Sequence, residues 1–125
     1  MNWTIWIIVG AVSGLLAVGI DAFGAHALKG QLSPDQWVVF NTAVRHHMFH
    51  TLGIFAVGFF GSRVDSGLLT ASACCFLAGI FLFSGSLYGY AITSKRELAM
   101  ITPVGGVTFM IGWCLLAWSA VKTLR

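Results

Sequence analysis

Charged side chains are scarce in this chain. Only 9% of its 125 residues are Asp, Glu, Lys or Arg, whereas a soluble domain carries roughly 25%. Three long stretches contain no charge at all: Trp3 to Ile20, Ser66 to Ser94, and Leu98 to Val121. So few charges cannot cover a water-facing surface, which excludes a soluble globular domain. Because about 20 consecutive apolar residues are enough to cross the hydrocarbon core of a bilayer, the chain is predicted to be an integral, multi-pass membrane protein.

Acidic residues are especially few, and no catalytic motif compensates for them. The four acids are scattered singly, at Asp21, Asp35, Asp65 and Glu97, so no pair is spaced for acid–base chemistry. The serine-nucleophile pattern G-x-S-x-G, the phosphate-binding loop and the zinc pattern H-E-x-x-H are also missing. These absences predict a non-enzymatic protein, and we expect no cofactor.

Cysteine and basic residues are too sparse or too dispersed for two further classes of protein. Cys74, Cys75 and Cys114 all lie in apolar stretches, which argues against a disulfide framework. The formal net charge is +3, but the basic residues flank the apolar runs, as membrane anchors do. We therefore expect membrane lipid as a partner and no nucleic acid. The basic residues are Lys29, Arg45, Arg63, Lys95, Arg96, Lys122 and Arg125.

Apolar residues are abundant, at 58% of the chain, and they suffice for four membrane helices in a single domain of residues 1–125. The sequence predicts an all-α bundle of four transmembrane helices. The expected spans cover about 3–28, 44–62, 67–92 and 98–121.

An amphipathic interfacial segment is expected to lead into the second span. Ser33, Pro34 and Asp35 are an N-cap, a first-turn proline and an acid that complements the helix dipole. Apolar residues then follow at spacings of three and four, which is the pattern of one helical face. These residues are Trp37, Phe40, Val44 and Met48.

Four spans place both chain termini on one side of the membrane. The first and third loops carry four basic residues, Lys29, Arg45, Lys95 and Arg96, against three elsewhere. Since basic loops stay in the cytoplasm, the sequence favours cytoplasmic first and third loops with both termini outside.

Several glycines are predicted to mediate close helix packing. Gly10 with Gly14, and Gly85 with Gly89, form small-xxx-small pairs that let two helices approach closely. Gly105 and Gly106 follow Thr102-Pro103 and are better explained by helix packing than by a phosphate cradle. Either of the two pairs offers a surface for a homo-oligomer.

Four histidines, His26, His46, His47 and His50, are the polar residues that most need an explanation. His46 and His50 lie one helical turn apart, so they can meet on one surface and are weak candidates for a shared metal or haem. His26 would supply a third ligand if the first two helices pack antiparallel. The alternative is structural, with the rings bonded to backbone or to each other. His46 and His47 diverge, so all three neighbours cannot share one centre.

A second polar set suggests an alternative hypothesis, proton or small-solute transfer. Asp21, His26, Arg45 and His50 are expected near the adjoining ends of the first two helices, and histidine titrates near neutral pH. A four-helix protomer is small for a pore, so such a pathway implies an oligomer.

The chain also resembles a known family. Phe23-Gly24-Ala25-His26-Ala27-Leu28-Lys29 resembles the signature of domain of unknown function 423, a family that includes the eukaryotic transmembrane protein 256. Three further blocks agree in order: Thr42 to His50, Phe83 to Tyr88, and Ile101 to Gly106 with Gly112-Trp113. The resemblance implies a four-helix protein of the bacterial plasma (inner) membrane with no established biochemical activity.

The resemblance also ranks the polar residues. His46, His47 and Asp21 stand where the family is expected to carry other residue types, so it favours His26, Arg45 and His50. The positions that it singles out are Gly24, His26, Arg45, His50, Ser86, Tyr88, Thr102, Pro103, Gly105 and Gly106.

The leading functional hypothesis is a non-enzymatic membrane protein that acts through helix packing, lipid or a protein partner that the sequence does not identify. The alternative is a small-solute or proton pathway built on His26, Arg45 and His50. A metal- or haem-binding membrane protein comes third.

Overall fold

A computed structural model describes every residue from Met1 to Arg125 and contains only helices. This confirms the predicted all-α fold with four helices. Thr4–Leu28, Gly67–Thr93 and Arg96–Thr123 are long and apolar enough to cross a membrane, and they are here the first, third and fourth helices. The second helix, Pro34–Gly61, does not meet that criterion because it carries Asp35, Arg45 and three histidines.

The second helix is continuous from Pro34 to Gly61, so the expected amphipathic lead-in and the span that follows it belong to one element. It begins with the expected cap, because Ser33 accepts from the Gln36 N–H while the Gln36 side chain accepts from the Ser33 N–H. It then runs antiparallel to the first helix over its full length. Trp3 packs on Gly61 at one end of this pair, and Gly24 packs on Phe40 at the other. The second helix therefore lies beside the apolar helices at membrane depth despite its polar residues.

The four helices form a row in chain order. The first packs on the second, the second on the third, and the third on the fourth, while the second and fourth touch only briefly. A buried apolar cluster joins all four helices, with members that include Trp6, Ile54, Leu69, Phe76 and Phe109. In this arrangement, helices that are not neighbours do not pack tightly against each other. One groove lies between the first and third helices, and another lies between the second and fourth.

Two helices contain π-helical segments, in which one extra residue widens a turn. Gly24–Leu28 closes the first helix, and Ile80–Gly85 interrupts the middle of the third. The second segment lies at the level where the polar residues of the second helix face the third. Its Ser84 hydroxyl donates to the Ala43 carbonyl at 2.8 Å. This π-helical segment therefore contacts the second helix through Ser84 and, through Phe83, the fourth helix at Gly105.

The fourth helix contains a proline, Pro103, beyond its first turn. The helix begins at Arg96, so Pro103 is inside it. A proline at this point has no N–H to donate to the carbonyl four residues earlier.

Candidate functional site

The four residues predicted as a polar site do not form one cluster. Asp21, His26 and Arg45 are exposed, whereas His50 is buried with 4% of its surface accessible. No salt bridge joins Asp21 to Arg45, since the only ion pair is that of the Met1 amino group with Asp65, at 3.3 Å. Arg45 and His50 line the same groove, but His26 and Asp21 do not.

A buried hydrogen-bonded network links the first three helices instead. The Ser13 hydroxyl lies 3.2 Å from His47 Nε2 and 2.6 Å from the Thr51 hydroxyl. On the other side of the imidazole, His47 Nδ1 lies 3.0 Å from the Tyr88 hydroxyl. Ser13, His47 and Thr51 are each at most 6% exposed. A side chain from each of three helices thus meets at one histidine.

The hydrogens of this network can be arranged in two opposite directions. In the first, Thr51 donates to the His47 carbonyl at 2.9 Å, Ser13 donates to Thr51, His47 Nε2–H donates to Ser13, and Tyr88 donates to Nδ1. In the second, every side chain–side chain bond reverses, and the Tyr88 hydrogen is left without an acceptor in the network. The first arrangement satisfies every donor. The second offers the Tyr88 O–H to an acceptor outside the protein.

Two members of this network are not among the residues that the sequence favours. His47 departs from the family pattern, and Ser13 is one small polar residue in an apolar run. The available signal was the spacing of His47 and Thr51, which lie one turn apart and so share a helical face. Nothing in the sequence identified which face of the second helix meets Ser13.

The first groove lies between the first and third helices, with the network at its floor. It encloses about 400 Å³. Ser13, His47 and Tyr88 are the polar residues in its lining, and Gly85 opens its wall beside them. Its other walls are apolar, contributed by Ile8, Val9, Val12, Leu16, Ile20, Leu77, Ile80 and Phe81.

The second groove lies on another side of the second helix, facing the fourth. Arg45, His46, Phe49 and His50 line a space of about 410 Å³. His46 Nδ1 donates to the Thr42 carbonyl at 3.0 Å, and His50 Nδ1 donates to the His46 carbonyl at 2.7 Å. His50 also stacks on Phe109, with ring centroids 3.4 Å apart and planes 6° apart. Both rings are therefore fixed in orientation.

The second groove does not assemble a third metal ligand. No group of three or more His, Cys, Asp or Glu side chains is close enough to hold a metal ion. His46 and His50, the weak metal candidates, stack on each other with centroids 6.1 Å apart, and the third ligand expected from His26 lies elsewhere. The charged residue that lines this groove is Arg45, a cation, which disfavours a second cation.

The predicted packing glycines differ in what they contact. Gly10 faces the Phe55 ring and Gly14 faces Thr51, both within the chain, so this pair is already used between the first and second helices. Gly89 faces Leu98, whereas Gly85 lies open on the first groove. The homo-oligomer expected through these pairs stays a prediction, and of the four glycines only Gly85 is left open by its own chain.

Helices that span the bilayer, a polar floor at membrane depth and a predominantly apolar outer surface define a small multi-pass membrane protein of the helical-bundle class. Residues 20–106 match the family described as "Protein of unknown function (DUF423)". The chain belongs to this family, the DUF423 or UPF0382 membrane proteins, whose function is not established. The resemblance noted in the sequence is thereby confirmed.

Similar proteins cover almost the whole chain. UPF0382 membrane protein YwdK of Bacillus subtilis is 46% identical over 122 residues, which is 96% of this chain and 98% of that protein. UPF0382 inner membrane protein YgdD of Escherichia coli is 36% identical over 119 residues, or 95% and 91% of the two chains. The chain is accordingly a bacterial membrane protein with multiple helical spans, as expected. No solved structure matches it.

Proposed function

We propose that the protein is a non-enzymatic lipid-binding protein whose ligand lies in the first groove. The observation that carries this proposal is an apolar groove with a hydrogen-bonding floor at membrane depth. Ligand sites combine mostly apolar walls with a few convergent polar groups in this way. Such a groove fits an acyl or isoprenoid tail, and its floor fits one polar group on that tail.

The hydrogen-bond directions favour a ligand that carries a carbonyl. When the network reverses, the Tyr88 hydroxyl accepts from His47 Nδ1–H and can donate into the groove. A ligand carbonyl would take that hydrogen, so binding would not leave a buried donor unpaired. We therefore propose a lipid with a carbonyl acceptor among its apolar atoms.

The geometry gives little support to catalysis at the same residues. Ser13 and His47 resemble a nucleophile and its base, but the third member is a neutral phenol rather than a carboxylate. An acyl-transfer site also needs free N–H donors for the oxyanion. Ser13, His47 and Thr51 all lie inside regular helices, whose N–H groups are already bonded along the helix.

The second candidate, a proton or small-solute pathway, is supported by a different set of residues from those expected. The chain Tyr88–His47–Ser13–Thr51 is continuous, but the apolar cluster containing Trp6, Ile54 and Val57 lies beyond its inner end. A relay would therefore reach only part of the way across. Proton flux into liposomes that vanishes in His47→Gln would revive this candidate.

The lipid proposal is tested with two glycine variants. Gly85→Leu should fill the first groove, because a Cβ at Gly85 meets only the Ile80 carbonyl oxygen at 3.8 Å. Gly19→Leu is the matched control, since Gly19 is exposed and a Cβ there meets nothing within 4 Å. Each protein is purified in detergent, and the lipid that remains bound is quantified by mass spectrometry.

We expect a carbonyl-containing lipid to stay with the wild type and with Gly19→Leu, and to be depleted in Gly85→Leu. Equal lipid content in the two variants would refute the groove as the binding site.

A further inference from the structure

The second groove contains a charge that the protein itself does not neutralise. Arg45 is exposed, and its guanidinium makes no hydrogen bond or ion pair within the chain. The neighbouring rings of His46 and His50 are held by backbone carbonyls and by aromatic stacking. A fixed pair of rings beside an unpaired cation is the pattern of a site prepared for a ligand.

The depth of Arg45 makes its lack of a partner costly. Arg45 lies 11 residues from Pro34, which is about 16 Å of helix. The second helix has 28 residues, about 42 Å, and the hydrocarbon core is about 30 Å thick, so the Arg45 backbone lies roughly 10 Å inside it. An unpaired charge at that depth is unfavourable unless it reaches the interface or meets an anion.

The side chains in this groove point towards the nearer membrane face. In an α-helix the Cα–Cβ bonds tilt towards the N-terminus, and the N-terminus of the second helix is the end closest to Arg45. The Gln36 amide donates to the Ser94 hydroxyl at that same end, at 2.8 Å. The guanidinium is therefore directed towards the headgroups of that leaflet, where the abundant anion is lipid phosphate.

The two histidines add a requirement that phosphate alone does not meet. Each Nδ1 donates to a carbonyl, so in the neutral ring each Nε2 is a hydrogen-bond acceptor. Neither Nε2 has a partner in the chain, and neither is sealed from the surface. The groove thus presents one cationic donor and two acceptors, and it fits an anion that carries O–H groups of its own.

We propose that this groove binds an anionic phospholipid with a hydroxylated head, of which phosphatidylglycerol is the simplest. The phosphate pairs with Arg45, the glycerol hydroxyls donate to His46 and His50 Nε2, and an acyl chain lies along Phe49. This site is separate from the first groove and stands whether or not that groove holds a lipid.

Three lipids with identical acyl chains separate the two parts of the proposal. Phosphatidylglycerol has the anionic phosphate and the hydroxyls, phosphatidylmethanol has the same anionic phosphate without them, and phosphatidylcholine has a phosphate balanced by a cation without N–H donors. The purified full-length protein is incubated with an equimolar mixture, and native mass spectrometry measures the ratio in which the lipids are retained. We expect phosphatidylglycerol first, phosphatidylmethanol second and phosphatidylcholine last.

Two variants assign these preferences to residues. Arg45→Gln should lower the preference for phosphatidylmethanol over phosphatidylcholine about five-fold, since a basic residue near the membrane surface contributes ~1 kcal/mol. His46→Phe keeps an aromatic ring against Phe83 and should lower the preference for phosphatidylglycerol over phosphatidylmethanol about three-fold, the value of an average hydrogen bond in a membrane. Arg63→Gln, at an exposed position in the loop after the second helix, is the control and should change neither ratio.

The proposal is overturned if the wild type retains the three lipids equally, or if Arg45→Gln and Arg63→Gln behave alike. A His46→Phe protein with an unchanged preference for phosphatidylglycerol would refute the role of the histidines. Adding inorganic phosphate distinguishes the source of the anion. Undiminished phosphatidylglycerol binding supports a lipid site, whereas displacement would show a site for soluble phosphate and overturn the lipid assignment.

Discussion

His47 is the residue at which hydrogen bonds from the first and third helices meet the second helix. Its two ring nitrogens bond to hydroxyls of the first and third helices, at 3.2 Å and 3.0 Å. Its neighbour His46 belongs to the other groove and contacts Phe83 and Phe109. Two adjacent histidines therefore serve two different surfaces, as expected from side chains about 100° apart on a helix.

At this scale, the prediction concerns the hydroxyl of Ser13. Ser13→Ala changes the volume little but leaves His47 Nε2 and Thr51 without their shared partner. Hydrogen bonds between membrane helices contribute on average about 0.6 kcal/mol and at most about 1.7. Because two partners are affected, we expect the free energy of unfolding to fall by about 1–2 kcal/mol.

The loss is measured by reversible unfolding in mixed detergent micelles. Ser62→Ala is the control, because Ser62 is exposed and bonds only to the nearby Phe59 carbonyl. If Ser13→Ala and Ser62→Ala unfold at the same detergent composition, the network does not stabilise the bundle.

The backbones of the third and fourth helices come into direct contact at Gly105. A Cβ at Gly105 would fall on the backbone of Leu82 and Phe83, within the π-helical segment. One turn away, the Ser86 and Thr102 hydroxyls are 2.6 Å apart. The small residue lets the two backbones meet, which brings these hydroxyls within bonding distance.

Adjacent glycines in the fourth helix give the element-scale prediction. Gly105→Ala should destabilise the fold by about 1–3 kcal/mol or more, because backbone atoms cannot rotate away from the added methyl group. Gly106→Ala should be neutral or stabilising, since its Cβ meets only the Phe83 ring at 3.7 Å and alanine favours a helix over glycine by about 1 kcal/mol.

Thermal unfolding of the two alanine variants in the same detergent provides the measurement. A Gly106→Ala protein as unstable as Gly105→Ala would contradict the backbone contact.

This pair of glycines also shows which structural features can be predicted from the sequence and which cannot. Composition predicted the helices, because apolar runs of span length have few alternatives, and Ser33 marked the start of the second helix. Both Gly105 and Gly106 were predicted to pack, yet only the rotation of the fourth helix determines which one meets a backbone. The grooves escaped prediction for the same reason, because they depend on which helices are neighbours.

At the scale of the whole molecule, the loops and the N-terminus lie at two opposite ends of the helix bundle. The bond between Gln36 and Ser94 places the first and third loops together, and the ion pair between Met1 and Asp65 places the N-terminus beside the second loop. These contacts agree with antiparallel spans. They do not determine which end faces the cytoplasm, which depends on the distribution of basic residues.

The direction of insertion gives the final prediction. Because basic loops are retained in the cytoplasm, residues beside Lys29 and Lys95 should be cytoplasmic and Asp65 should be outside. Single cysteines are introduced by Gln31→Cys or Asp65→Cys into a protein whose Cys74, Cys75 and Cys114 are replaced by alanine. A thiol reagent that does not cross the membrane should label Asp65→Cys in intact cells and Gln31→Cys only after lysis.

A second experiment tests whether the basic residues determine the orientation in the membrane. Lys95→Gln with Arg96→Gln removes two of the four basic residues assigned to the cytoplasmic end, counting Arg45 because its side chain is directed there. The balance then favours the opposite end, where Arg63, Lys122 and Arg125 lie, so a fraction of the Gln31→Cys protein should become reactive in intact cells. Labelling that does not respond to these substitutions would show that charge does not set the orientation.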